Sequence, residues 1–164
     1  MGTVANVIVG SATLSVKDPY GGSWAEVGYT EDGVTFEYTA DANDTEVNEE
    51  TVAIGRSITK ETGKITCNLA ESTLANLSAA MIGADDDTAR TIKLGGGVTN
   101  YIAIKLVGTS PDASYPIRTI TMAKGTATGT VGISYKKGEK NLTPFEFEAV
   151  KPDSGDPITI VDSA

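Results

Sequence analysis

Histidine is absent from the 164-residue chain, and cysteine occurs once, at Cys67. Without histidine the commonest general base at neutral pH and the commonest metal ligand are both missing, so enzymatic readings start weak. A lone cysteine forbids an intramolecular disulfide. Between Ile65 and Leu69 it reads as a small core filler, because a nucleophilic role needs a neighbouring base or cation to lower its pKa. Neither a basic-then-apolar leader nor a long apolar span occurs, so neither secretion nor membrane insertion is expected, and the chain is expected to be made and kept in the cytosol. Strongly helical stretches are scarce while Gly, Thr and Val are frequent, which favours strands joined by turns. The expected class is mainly β, in one domain or one domain with arms.

Basic charge is also missing from one third of the chain. Met1 to Gly55 holds ten Asp/Glu and one basic residue, Lys17, whereas Arg56 to Ala164 holds twelve of each sign. Val34-Thr35-Phe36-Glu37-Tyr38-Thr39 alternates as a half-buried strand does, so the carboxylates are expected along one face of a strand pair, as a structured acidic wall that repels phosphate.

Along the chain, Val4 to Val9 and Thr13 to Val16 read as short strands separated by Gly10. Asp18 to Gly22 has turn composition, Trp24 opens a strand through Val27 and Tyr29, and Glu31-Asp32-Gly33 reads as a hairpin turn because Asp-Gly supplies left-handed conformations. Residues 41–64 are polar and predict a long hairpin or arm, a length that in a compact domain points to function or to ordering by a partner. Ile65, Cys67 and Leu69 return the chain to the core. One helix is expected, with Ser72 as N-cap, Leu74, Leu77 and Met81 as its apolar stripe and Gly83 as C-cap. Asp85-Asp86-Asp87 reads as an acidic loop. Strands follow at Thr91–Leu94, Tyr101–Val107, Ile117–Met122, Val131–Tyr135 and Leu142–Val150, the last with Phe145 and Phe147 inward and Glu146 and Glu148 outward. Pro152 to Pro157 reads as a linker before a terminal strand or tail at Ile158–Val161, which divides the chain into a domain over 1–151 and a tail over 152–164.

The remaining clusters carry little chemistry. Asp85 to Asp87 and Asp41 to Asp44 lack the ligand spacing and central glycine of a calcium loop. Glu146 and Glu148 are what a solvent-facing strand produces as readily as a carboxylate pair. Gly95-Gly96-Gly97 lacks the Gly-Lys-Ser/Thr ending of a phosphate loop. Lys136, Lys137 and Lys140 beside Tyr135 make a solubilising hairpin end more than a DNA-reading surface. No catalytic residue, metal or cofactor is expected.

The stretch Trp24-Ala-Glu-Val-Gly-Tyr-Thr-Glu-Asp-Gly-Val-Thr-Phe-Glu-Tyr-Thr39, the acidic arm after it, Leu69-Ala-Glu-Ser-Thr-Leu-Ala-Asn-Leu77 and the opening Val9-Gly-Ser-Ala-Thr-Leu14 resemble the tail tube (major tail) proteins of long, flexible-tailed bacteriophages. The resemblance covers the first half in detail and the second as a succession of strands. It implies a β-sandwich or half-barrel with one flanking helix, six copies of which close into a ring with a continuous inner β-barrel. Rings stack into a tube in the virion tail, assembled in the host cytoplasm, that conducts double-stranded DNA. The implied partners are further copies, tail terminator and tail tip proteins, and a tape measure protein in the lumen. The arm of such proteins reaches a neighbouring ring or subunit, which would place Glu49, Glu50, Arg56 and Lys60 at inter-ring contacts.

Duplex DNA must slide without adhering, and carboxylates on the lining keep it off the wall, within a screening length of roughly 8 to 10 Å. Glu37, Asp41, Asp44 and Glu46 are the candidates for that lining; the competing reading is that the acidic third keeps a self-associating protein soluble. Two other classes stay open: the ring-forming tube of a contractile secretion system, and a carbohydrate-binding or decoration module if Tyr20, Trp24 and Tyr29 cluster on one face.

Overall fold

The computed structural model describes residues 10–18, 21–48, 51–82, 85–87, 91–97 and 99–164. In chain order they form β1 (Thr13–Lys17), β2 (Ala25–Glu26), β3 (Thr30–Thr45), β4 (Gly55–Leu69), α1 (Leu74–Ala80), β5 (Asp85–Asp87), β6 (Thr91–Lys93), β7 (Tyr101–Thr109), β8 (Ile117–Ala127), β9 (Thr143–Ala149) and β10 (Ile158–Ser163). The expected mainly β class with one flanking helix is what the described residues adopt. One antiparallel sheet of eight strands runs β2-β1-β7-β8-β9-β4-β3, with β10 also on β8; β5 and β6 pair separately.

The sheet is open, yet its two ends lie close together. β2 and β3, at opposite ends of the strand order, are consecutive in sequence and joined only by Val27, Gly28 and Tyr29. Such a link spans roughly 13 to 15 Å at most, so the sheet must curl on itself. Backbone bonds fix both ends of the link, Val27 N–H to Leu14 C=O on β1 (3.2 Å) and Ala70 N–H to Tyr29 C=O (2.8 Å). Gly28 makes the crossing possible: its φ is +85°, and a Cβ there would overlap the Glu71 carboxylate.

The curl encloses the core. Leu14, Ile104, Leu106, Met122, Ile65, Leu69, Phe145 and Phe147 from five strands pack together with Val27 and Ala80. Phe145 and Phe147 are fully buried, with ring centroids 4.3 Å apart. The opposite sheet face is polar, with Glu146 and Glu148 half-buried as the alternation predicts.

The helix packs against β9 of the sheet and also reaches the crossing. Its N-cap is Thr73, whose side chain accepts from Asn76 N–H, and not the expected Ser72, whose hydroxyl is engaged with Thr143 Oγ1 (2.9 Å). The buried face is Asn76, Leu77, Ser78 and Ala80, while Leu74 of the expected stripe is exposed. The helix ends at Met81; Gly83 lies outside the described residues. Buried Asn76 donates from Nδ2 to the carbonyls of Val27 and Glu71, both at 2.8 Å. Asn76→Ala leaves those acceptors unsatisfied and is expected to cost about 1 to 3 kcal/mol, read as a lower urea midpoint.

Four local expectations are corrected. Asp32 (φ +63°) and Gly33 (φ +79°) do not reverse the chain; they form a bulge inside β3, between the pairs Glu31–Asn68 and Val34–Cys67. Of the Trp24–Tyr29 strand only Ala25–Glu26 pairs, because Val27 turns into the core. Asp85–Asp87 is a short strand on Thr91–Lys93. Val131–Tyr135 is irregular; the edge of β8 that it follows is occupied by β9 and β10. The Val4–Val9 strand lies outside the described residues.

β10 is held at its end by Asp162, which accepts from Arg118 Nε (2.7 Å) and Nη2 (2.6 Å) and from Ser110 Oγ (2.8 Å). The guanidinium first and the hydroxyl second hold its carboxyl down at about 2. A depressed folded pKa stabilises above the ordinary Asp value near ~3.9 and loses that contribution as pH falls toward 2. The difference in urea midpoint between wild type and Asp162→Asn is therefore expected to be constant from pH 7 to 5 and to shrink below pH 4.

Candidate assembly interface

β3 and β4 are longer than the body that carries them. They pair from Thr30–Leu69 to Thr45–Gly55, and Ile54 N–H to Thr45 C=O (2.9 Å) closes the far end. Only the inner part of β4, Lys64 to Leu69, also pairs with β9. Beyond it a two-stranded ribbon projects, in which every residue from Glu37 to Asn48 and from Ile54 to Glu61 is exposed. The sequence folds this way because Thr, Ile and Tyr suit strands and paired amides need no core to hydrogen-bond one another. A hairpin with nothing on its faces is nevertheless marginal in water.

The expected arm at 41–64 is thus a hairpin, and its two faces differ. Cross-strand partners share a face, so Tyr38, Ala40, Ala42 and Asp44 lie on the core-side face with Gly63, Glu61, Ile58 and Arg56. Glu37, Thr39, Asp41 and Asn43 lie on the other with Lys64, Thr62, Lys60 and Ser57. Thr59 is an extra residue at the bulge, its hydroxyl bonded to Asp41 C=O (3.1 Å). The core-side face continues the apolar row of Phe36 and Ile65 outward, leaving Tyr38, Ile58, Ile54 and Val52 all more than half exposed. Both edges of the ribbon lack strand partners among the described residues, one along β3 and one along Gly55 to Gly63 of β4.

The candidate lining residues are not brought onto one face. Glu37 and Asp41 share the polar face, Asp44 is on the opposite one, and Glu46 sits exposed at the tip. Three acidic positions are matched by cations that the sequence places in the next segment. Asp44 accepts from Arg56 Nε (2.5 Å) and Nη2 (3.0 Å), Asp41 is opposite Lys60, and Glu37 is opposite Lys64, whose ammonium also pairs with Glu146. Arg56 holds the Asp44 carboxyl below the usual range, and Glu146 raises Lys64. Across the hairpin, the charge segregation seen along the sequence is offset at these three positions, while Glu46 and Glu61 have no cation across the ladder. Of the arm residues, Arg56 and Lys60 lie on opposite faces, and Glu49 and Glu50 fall outside the described residues.

The aromatic residues do not share one setting. Trp24 lies under Lys17 and Lys105, at 5.0 and 4.8 Å from its ring, whereas Tyr29 stands exposed beside the start of α1 and Tyr20 lies outside the described residues. Cys67 is half-buried against the core, and burial pushes its thiol up to about 12, opposite to what a nucleophile needs. The projecting apolar arm was the feature sequence reading could have found and missed: Val52, Ile54 and Ile58 stand every few residues in a segment read as merely polar.

No protein-family model matches the chain, and no curated protein sequence matches it. Among the described residues no helix is long and apolar enough to cross a membrane.

Proposed function

We propose that the chain is the tube subunit of a long, flexible phage tail. Six copies join through sheet margins into a ring, rings stack, and the bore conducts DNA. The observation that carries this reading is the β3–β4 ribbon, paired from Thr30–Leu69 to Thr45–Gly55 yet exposed at every ladder position from the Ala40–Glu61 pair outward. Open edges and exposed apolar side chains on a projecting ribbon are an aggregation hazard unless other copies cover them, and a closed ring with stacked neighbours does so. Tyr38, Ile58, Ile54 and Val52 then pack against the adjoining subunit or ring, and Arg56, on the same face, makes polar contacts at its margin.

The polar face bearing Glu37 and Asp41, with Thr35, Thr39, Thr62 and Thr66 between, lines the bore in this reading. Its lysines face carboxylates, so DNA passes a hydrated wall whose cations already have acidic neighbours, and few counterions are released by contact. The tape measure protein fills the same bore during assembly, and terminator and tip proteins cap the ends. Negative-stain imaging and light scattering of the purified protein over a rising concentration series test this. Six-fold rings and long tubes support it; single or few stacked rings favour the secretion tube; monomers at every concentration overturn it in favour of a binding module.

A further inference from the structure

β9 and β10 lie end to end on one edge of β8. β9 pairs Phe147 to Ala149 with Ala127 to Gly125, and β10 continues in the same direction from Ile158–Met122 to Ser163–Ile117. Between them the chain leaves β8 at Val150, whose N–H donates to Lys124 C=O (2.9 Å), and returns at Pro157, whose C=O accepts from Ala123 N–H (2.9 Å). Residues 151–156 are therefore an excursion interrupting a single line of strand.

The two halves of that line differ in what they bury. β9 contributes Phe145 and Phe147 to the core; β10 contributes no residue to it, and Ile160 and Val161 are each 54% exposed. What holds β10 is its ladder on β8, the Asp162 contacts with Arg118 and Ser110, and Ile158 seated over Gly63, where a Cβ would overlap it. Every one of these partners belongs to the body of the domain. The same contacts form whichever copy supplies the strand, and only the excursion has to change. That excursion is short, begins and ends near Pro152 and Pro157, and holds Gly155 at φ +81°, the kind of constrained hinge that opens readily into exchange between copies. Straightened, Val150 to Pro157 reaches roughly 26 Å, enough to cross to an adjacent subunit.

We propose that in the assembled protein β10 is supplied in trans, each copy's Ile158–Ser163 pairing with β8 of a neighbouring copy. This rests on the reading of the chain as self-assembling. The exchange ties subunits together by a complete six-residue ladder.

Thr121 and Thr159 are ladder partners, and antiparallel partners about 4.5 to 5.5 Å apart at Cα fall within the range a disulfide spans. In a Cys67→Ser background, Thr121→Cys and Thr159→Cys are made together in one chain and also separately in two co-expressed chains. The assembled protein is oxidised and run on a denaturing, non-reducing gel. Exchange predicts a shift of most of the double variant from the monomer band to covalent multimers, and a covalent dimer from the co-expressed single variants. A 121–159 link found only within one chain, or no link, overturns it; the single variants keep the test open if the double variant does not fold. Tubes with only internal links defeat the exchange and leave the tube reading standing. Covalent pairs without rings support the exchange and defeat the tube.

Discussion

Replacing residues 40–61 by Asn-Gly, so that Thr39 turns directly into its ladder partner Thr62, is expected to abolish self-association while leaving a folded subunit. Thr39 and Thr62 are register partners, and Asn-Gly adopts the two-residue turn that suits such a hairpin. Apart from half-buried Ala53, every described residue removed is exposed, and the side-chain bond lost to the retained chain is that of exposed Tyr38 to Glu61, so the urea midpoint should move by no more than an exposed-surface change does, about 0.5 kcal/mol. The ends of the cut matter. Removing Glu46 to Thr62 instead would join Thr45 to Gly63 and leave Ala40 to Thr45 without a partner strand, so that any loss of assembly could be blamed on misfolding. With the register-matched cut, light scattering should report monomers at concentrations where the full chain forms rings. Rings of normal size from the shortened chain would remove the arm from the assembly mechanism.

Phe147→Ala is expected to do the reverse, destroying the subunit. Phe147 has no exposed surface, stacks on Phe145, and lies across the ladder from Ile65. Truncating such a ring costs about 3 to 5 kcal/mol through lost transfer and an unfilled cavity, a large share of the roughly 5 to 15 kcal/mol that holds a domain together. Urea unfolding monitored at Trp24 reads it directly. Tyr38→Ala supplies the contrast: Tyr38 continues the row of Phe36 and Ile65 but is 54% exposed. Subunit stability should hardly change while the concentration needed for assembly rises. A Tyr38→Ala subunit as destabilised as Phe147→Ala would mean that the arm packs on its own body.

Much of the core was legible because alternation reports burial wherever a strand has one covered face. Ile65, Leu69, Ile102, Ile104, Phe145 and Phe147 all followed their period into the interior. The errors fell where a local signal has two outcomes. Asp32-Gly33 supplies left-handed residues whether the chain reverses or bulges, and which occurs depends on β4, a strand that pairs from far along the sequence. Val131 to Tyr135 has strand composition, but a strand needs a partner, and β9 and β10 had taken the edge of β8 next to it. Ser72 and Thr73 cap equally well by type; Ser72 was drawn away by Thr143 on β9.

Composition and period by themselves determined that this protein is mainly β, that a short helix follows Leu69, and that a long polar hairpin or arm begins near residue 41, because these follow from each residue's own preferences and its neighbours. Only the tertiary structure decided where the charges point. Asp44, Asp41 and Glu37 of the acidic third meet Arg56, Lys60 and Lys64 across one ladder, since pairing in space depends on register, which no residue carries alone.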